Sequence, residues 1–84
     1  MKLLPLKWRA NRYNYDQIAR TEKKAMYKSD DGFYEVFIIK VRPKEEIKGK
    51  EYPEREVYPG NEDFGKTAWC YRVYKNALRK YEKL

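Results

Sequence analysis

Hydrophobic and polar positions alternate with one period in the middle of this chain and with another at its end. In "FYEVFIIKVR", Phe33 to Arg42, an extended backbone puts Phe33, Phe37, Ile39 and Val41 on one side, with Glu35 between them. Tyr34, Val36, Ile38 and Lys40 fall on the other. Aromatic and β-branched residues on both sides predict a central strand that needs neighbours at both edges. Before it, "SDDG" (Ser29 to Gly32) reads as a two-residue hairpin turn, because Asp31-Gly32 accepts the positive φ angles such a turn requires. "KKAMYK" is then the natural antiparallel partner. From Tyr71 to Leu84 the spacing changes: Tyr71, Tyr74, Ala77, Leu78, Tyr81 and Leu84 recur at three- and four-residue steps and make one apolar stripe. That stripe predicts a helix packed on one face of the sheet.

The remaining segments are less one-sided. "YNYDQIARTEKKAMYK" fits a helix through Tyr15, Ile18, Ala19, Ala25 and Met26, with Asn14 and Gln17 as a capping box. It also fits two short strands, since Tyr13, Tyr15 and Gln17 alternate and "TEKK" suits a hairpin loop. The hairpin signal that follows favours strands; the choice for Tyr13 to Lys28 stays open. "KEEIKGKEYP" reads as a charged loop or hairpin tip, and "EREVY" (Glu54 to Tyr58) as a fourth, edge strand bracketed by Pro53 and Pro59. Strand addition there would permit a dimer, but the prolines limit its length, so a monomer or weak dimer is expected. "KLLPLKWRANR" mixes apolar and basic residues around a proline and predicts an extended arm over residues 1–12.

"YPGNEDFGKTAW" concentrates turn-forming residues between aromatics. It reads as a structured connection (59–70) in which Asn61 or Asp63 satisfies backbone groups, Phe64 anchors the loop, and Gly60 and Gly65 supply backbone freedom. "TAWCY" is a short extended piece or a first helical turn. The expected fold is thus α+β: a single domain, 1–84, with an antiparallel sheet of about four strands drawn from 13–58 and a C-terminal helix, 71–84, on one face.

Composition adds partner charge to this picture. Twenty Lys and Arg stand against thirteen Asp and Glu, a net charge of +7 on 84 residues. Such a field favours anionic partners and disfavours contact between like surfaces. The longest apolar run, Val36 to Ile39, is too short to span a bilayer, and Pro5 and Lys7 interrupt the leader-like "MKLLPLKW". Cys70 is the single cysteine and there is no histidine, so the usual zinc ligand sets are absent. A reducing cytoplasm suits that usage. Neither Cys70 nor the hydroxyls of Ser29 and Thr67 have a histidine to activate them, which argues against an enzyme. Between two aromatics, Cys70 reads as a small buried thiol. Glu54, Glu56, Glu62 and Asp63 have no spacing that resembles a calcium loop, so neither metal nor cofactor is expected.

At "YEVF", "YPEREVYPGNEDFGKTAWCY" and "NALRKY" the chain resembles a diffuse group of small uncharacterised accessory proteins of bacterial phages and mobile elements. The likeness covers roughly residues 25–81. It implies a sheet-plus-helix module acting in the cytoplasm of a bacterial host cell. No catalytic set comes with it, and the basic arm and Arg72 depart from its pattern.

Two stretches mix cations with rings, the composition of surfaces on which bases stack while cations follow phosphates. Arg9, Arg12, Tyr13 and Tyr15 form one, beside Trp8, whose ring reads as an anchor for the arm. Arg72, Lys75, Arg79, Lys80 and Lys83 form the other, along the helix. The expected function is a non-enzymatic binding module for an anionic partner, nucleic acid ahead of an acidic protein surface. The alternative is a phage-encoded, anti-CRISPR-like inhibitor of a bacterial defence system, docking through Tyr and Arg anchors.

Overall fold

A computed structural model describes residues 1–10 and 12–84. Its centre is an antiparallel five-stranded sheet built from β1 (Lys7–Ala10), β2 (Tyr13–Arg20), β3 (Lys24–Ser29), β4 (Tyr34–Ile38) and β9 (Ala68–Tyr71), in the order β1-β2-β3-β4-β9. A helix, α1 (Tyr74–Lys83), packs against β3, β4 and β9. The α+β class with a C-terminal helix on an antiparallel sheet is as the hydrophobic pattern predicts, and Tyr13 to Lys28 is a pair of strands. Membership of the sheet differs. The latter half of the expected arm is the edge strand β1, and "AWCY" is the strand β9 beside β4.

β4 is central for the reason its sequence implies. Paired residues of antiparallel strands point to the same face, so Met26, Val36 and Trp69 line the α1 side, while Ala25, Phe37 and Ala68 line the other. On the α1 side Met26, Val36 and Ala77 are fully buried, ringed by Tyr34, Tyr71, Leu78, Tyr81 and Leu84. Opposite, Leu4, Ala25, Tyr27, Phe37, Ile39 and Ala68 form a second core against Tyr15, Tyr58 and Phe64. The chain therefore covers two apolar faces, one with a helix and one with a loop and the N-terminal arm.

The predicted strand Phe33 to Arg42 is broken at Ile39. Its partner β3 begins at Lys24, and Ile39 N–H makes the last contact, with Lys23 C=O at 2.8 Å. Beyond that point β5 (Lys40–Arg42) pairs with β8 (Arg55–Val57) in a separate two-stranded ribbon. "EREVY" is thus no edge of the main sheet. Nor is its own edge free: Lys2 N–H donates to Glu54 C=O at 3.1 Å and Glu56 N–H to Lys2 C=O at 2.9 Å, which fills the place envisaged for strand addition. Between β5 and β8, β6 (Glu45–Ile47) and β7 (Lys50–Tyr52) close a hairpin over Lys48-Gly49, both at positive φ as a twist-matched two-residue turn requires.

The "SDDG" turn is longer than expected. Ser29 N–H donates to Phe33 C=O at 2.8 Å, so the loop holds three residues, Asp30 to Gly32, and Ser29 Oγ accepts from Phe33 N–H at 3.0 Å. The helix starts at Tyr74, three residues later than predicted, because Tyr71 pairs with Tyr34 in the sheet. Tyr71 joins the core beneath α1 from β9, while Tyr74 stays exposed and leans on Tyr34 at its rim. At the other end Lys24 Nζ donates to the Tyr81 and Leu84 carbonyls at 2.8 and 3.4 Å, a cation at the negative end of the helix dipole.

Glu56 ties the layers together. Arg20 grips it through Nη1 at 2.6 Å and Nη2 at 2.8 Å, and Leu4 N–H donates to Oε1 at 2.9 Å, so one carboxylate joins main sheet, ribbon and arm. Its side chain is 4% exposed. The Arg20 guanidinium holds the Glu56 carboxyl below the usual carboxylate range. Its stabilisation is therefore present above that range and lost as pH falls through the lowered value. Glu35 is opposite in sense: half-buried, with no ion pair among the described residues, it is pushed up by burial.

Glu56→Ala is expected to cost about 3 kcal/mol, the order found when one partner of a buried ion pair is removed, read as a shift in the urea midpoint. An unchanged midpoint would refute its role as a tie. Because the folded state holds the Glu35 proton more tightly than the unfolded chain does, Glu35 is least unfavourable in acid and more so as pH rises. Glu35→Gln should therefore raise the melting temperature at pH 7, and the gain should vanish below the ordinary carboxylate range; a gain independent of pH would assign it to another cause.

Candidate functional site

The turn-rich segment resolves into a support. Asn61–Asp63 form a single 3₁₀ turn, in which Asp63 Oδ2 accepts from Gly60 N–H at 2.9 Å and Oδ1 meets Lys40 Nζ at 2.6 Å. Phe64 packs into the second core, and Gly65 sits at φ +89. Gly60, by contrast, has φ −83, an ordinary value, so the freedom expected of it is not used. Tyr58 lies flat on Trp8, with ring centroids 3.7 Å apart and 14° between planes, and packs on Tyr27 and Phe37. Tyr27 Oη donates to Pro5 C=O at 2.6 Å and accepts from Gln17 Nε2 at 2.9 Å, which straps the arm over this core. The Trp8 ring is thereby a structural anchor.

Sheet register decides where the other N-terminal candidates go. Trp8 pairs with Tyr15 and Ala10 with Tyr13, which places Tyr13 and Tyr15 on the face away from α1. Tyr15 packs against the second core; Tyr13 is 38% exposed. Arg9 pairs with Asn14 and points to the α1 side, and Arg12 sits in the turn at φ 73. The first candidate group is thus divided between two faces. The same register places Lys7, which meets Asp16 at 3.7 Å, and Lys28 on the α1 side with Arg9. Neither stood out in the sequence, since only pairing sets them on one face.

Of the helix group, the four residues on α1 stay together, while Arg72 precedes the helix and lies over Phe33. Lys75, Arg79 and Lys83 lie four residues apart, a stripe on the side of α1 opposite Ala77, and all are exposed. Arg79, Lys80 and Lys83 line a shallow cleft of about 270 Å³ with Tyr71 and Asn76. Lys80 Nζ lies 3.9 Å from the centroid of the Trp69 ring, and the Arg72 guanidinium 4.3 Å from that of Phe33. Cations held over ring faces keep their full charge while their stems cover apolar surface. Among the described residues, four ion pairs engage Lys7, Arg20, Lys40 and Arg55, and none engages Arg72, Lys75, Arg79, Lys80 or Lys83. The helix face is a cationic surface on which Glu82 is the one carboxylate of α1, and it makes no ion pair with these cations among the described residues.

Compared with protein-family models, with curated proteins and with solved structures, the chain gives no match in any of the three. No helix is long and apolar enough to cross a membrane among the described residues.

Cys70 corrects another expectation, because it is exposed. Its neighbour across the strands is Glu35, so it projects on the face away from α1. Partial burial, reinforced by the Glu35 carboxylate, raises its thiol above the ordinary range, with Arg72 opposing. Cys70 in the folded protein is therefore expected to take one equivalent of a thiol reagent without denaturant. The rate should rise to a midpoint above that of an ordinary thiol, and Glu35→Gln should bring that midpoint down. Protection until the protein is unfolded would contradict the exposed placement.

Proposed function

We propose that this protein is a non-enzymatic binding module for nucleic acid, acting through the cationic face of α1. The observation that carries the reading is the set Lys75, Arg79, Lys80 and Lys83 along α1, with Arg72 just ahead of the helix, all left without a carboxylate ion pair among the described residues. An uncompensated cluster of this kind attracts a polyanion by releasing its condensed counterions. The net charge of +7 adds long-range attraction. The setting implied by the resemblance, an accessory protein of a phage or mobile element in a bacterial cytoplasm, belongs to the same proposal.

A second reading rests on the exposed Tyr13, Tyr52 and Tyr74. Exposed tyrosines are frequent anchors of protein interfaces, as a docking inhibitor of a bacterial defence protein would need. The two readings separate by experiment. Fluorescence anisotropy with labelled oligonucleotides should show binding that weakens steeply with salt, and replacing both Arg79 and Lys80 with Ala should lower the salt slope by about two. Capture of one bacterial protein, insensitive to nuclease and to those replacements but lost when the exposed tyrosines are changed, would select the second reading.

A further inference from the structure

Resting on the nucleic-acid reading, we propose that the ligand is a duplex, held by its phosphates without base stacking and without regard to sequence. Single-strand surfaces offer free ring faces beside their cations, because stacking replaces the base-base contacts that an unpaired strand lacks. Here the rings beside the cationic face are already covered. Trp69 lies under Lys80, and Tyr81 under Lys24, whose Nζ is 4.6 Å from its centroid. Tyr34 packs on Tyr74 at 5.5 Å, with Lys28 Nζ 5.7 Å from its centroid. Tyr74 is the one ring on this side that is itself 45% exposed, and the exposed Tyr13 is on the opposite face of the sheet.

What this surface presents is a line of charge. Lys75, Arg79 and Lys83 succeed one another about every 6 Å along the axis of α1, a straight stripe that can follow phosphates along one backbone. Lys80 flanks it, held over the Trp69 ring. A duplex offers one charge per about 1.7 Å of axis against about 3.4 Å for each strand, so a rigid stripe of cations without stacking platforms gains most from the double helix. Phosphate contacts fix position and carry no sequence information, so discrimination between sequences is not expected.

The test is an anisotropy titration of the full chain with a mixed-sequence duplex of about 20 base pairs and with each of its separated strands, from about 50 to 200 mM salt. The duplex should bind about tenfold more tightly than either strand, and with three phosphates neutralised its affinity should fall about 40-fold over that salt range. A second duplex of unrelated sequence should bind equally. Tyr74→Ala should leave binding unchanged, whereas loss of a stacked base would weaken it on the order of tenfold. Strands that bind as tightly as the duplex, or a tenfold loss with Tyr74→Ala, overturn the duplex assignment and leave the nucleic-acid reading standing. Absence of binding to every oligonucleotide at low salt overturns both.

Discussion

The structure depends on a central strand that is apolar on both faces. β4 sends Val36 toward α1 and Phe37 to the other side, and both are fully buried. Each face must be shielded from water, since a buried aromatic or branched aliphatic side chain contributes on the order of 1.5–3 kcal/mol that exposure would forfeit. Among the described residues one substantial helix is at hand to do this. The second face falls to Leu4, Tyr58 and Phe64, carried by an arm and a loop whose backbones have no ladder of their own on the main sheet. Their positions are held by particular polar contacts instead: Tyr27 to Pro5, Asp63 to Gly60, and above all Glu56 to Arg20 and Leu4.

That arrangement accounts for the distribution of charge. Acids take up the tying positions: Glu56 binds Arg20, Asp63 binds Lys40, and Glu45 binds Arg55, all on the ribbon side of the molecule. The helix covers its face of the sheet with an apolar stripe and has one acid, Glu82, among its ten residues. Its outer side is therefore positive by default. Tyrosine and tryptophan richness, which in the sequence evokes a surface for bases, is used for coverage. Rings fill the rim of both cores, Lys80 and Lys24 close over those at the edge of the helix layer, and Arg72 closes over Phe33.

Glu35 and Cys70 form the exception to this economy. They are cross-strand neighbours on β4 and β9, in the row that contains Tyr27, at the end of the second core that the arm does not reach with an ion pair. Burial raises the protonation range of both, because the anionic form is poorly solvated there, and the Glu35 carboxylate adds to the rise of the Cys70 thiol.

The sequence by itself determined the elements whose signal is local. A two-sided apolar run reads as a central strand and is one as far as Ile38, and the three-and-four spacing read from Tyr71 gives an amphipathic helix, which begins at Tyr74. It also determined that positive charge lies along that helix. Tertiary structure alone decided which strands share a sheet, where β4 gives way to β5, and which ring faces which cation. Those depend on register and on where a partner strand runs out, and both are relations between residues far apart in the chain. Tyr13 and Arg9 are four residues apart and opposite in face because β1 and β2 pair as they do, and Tyr71 left the helix because Tyr34 took it into the sheet.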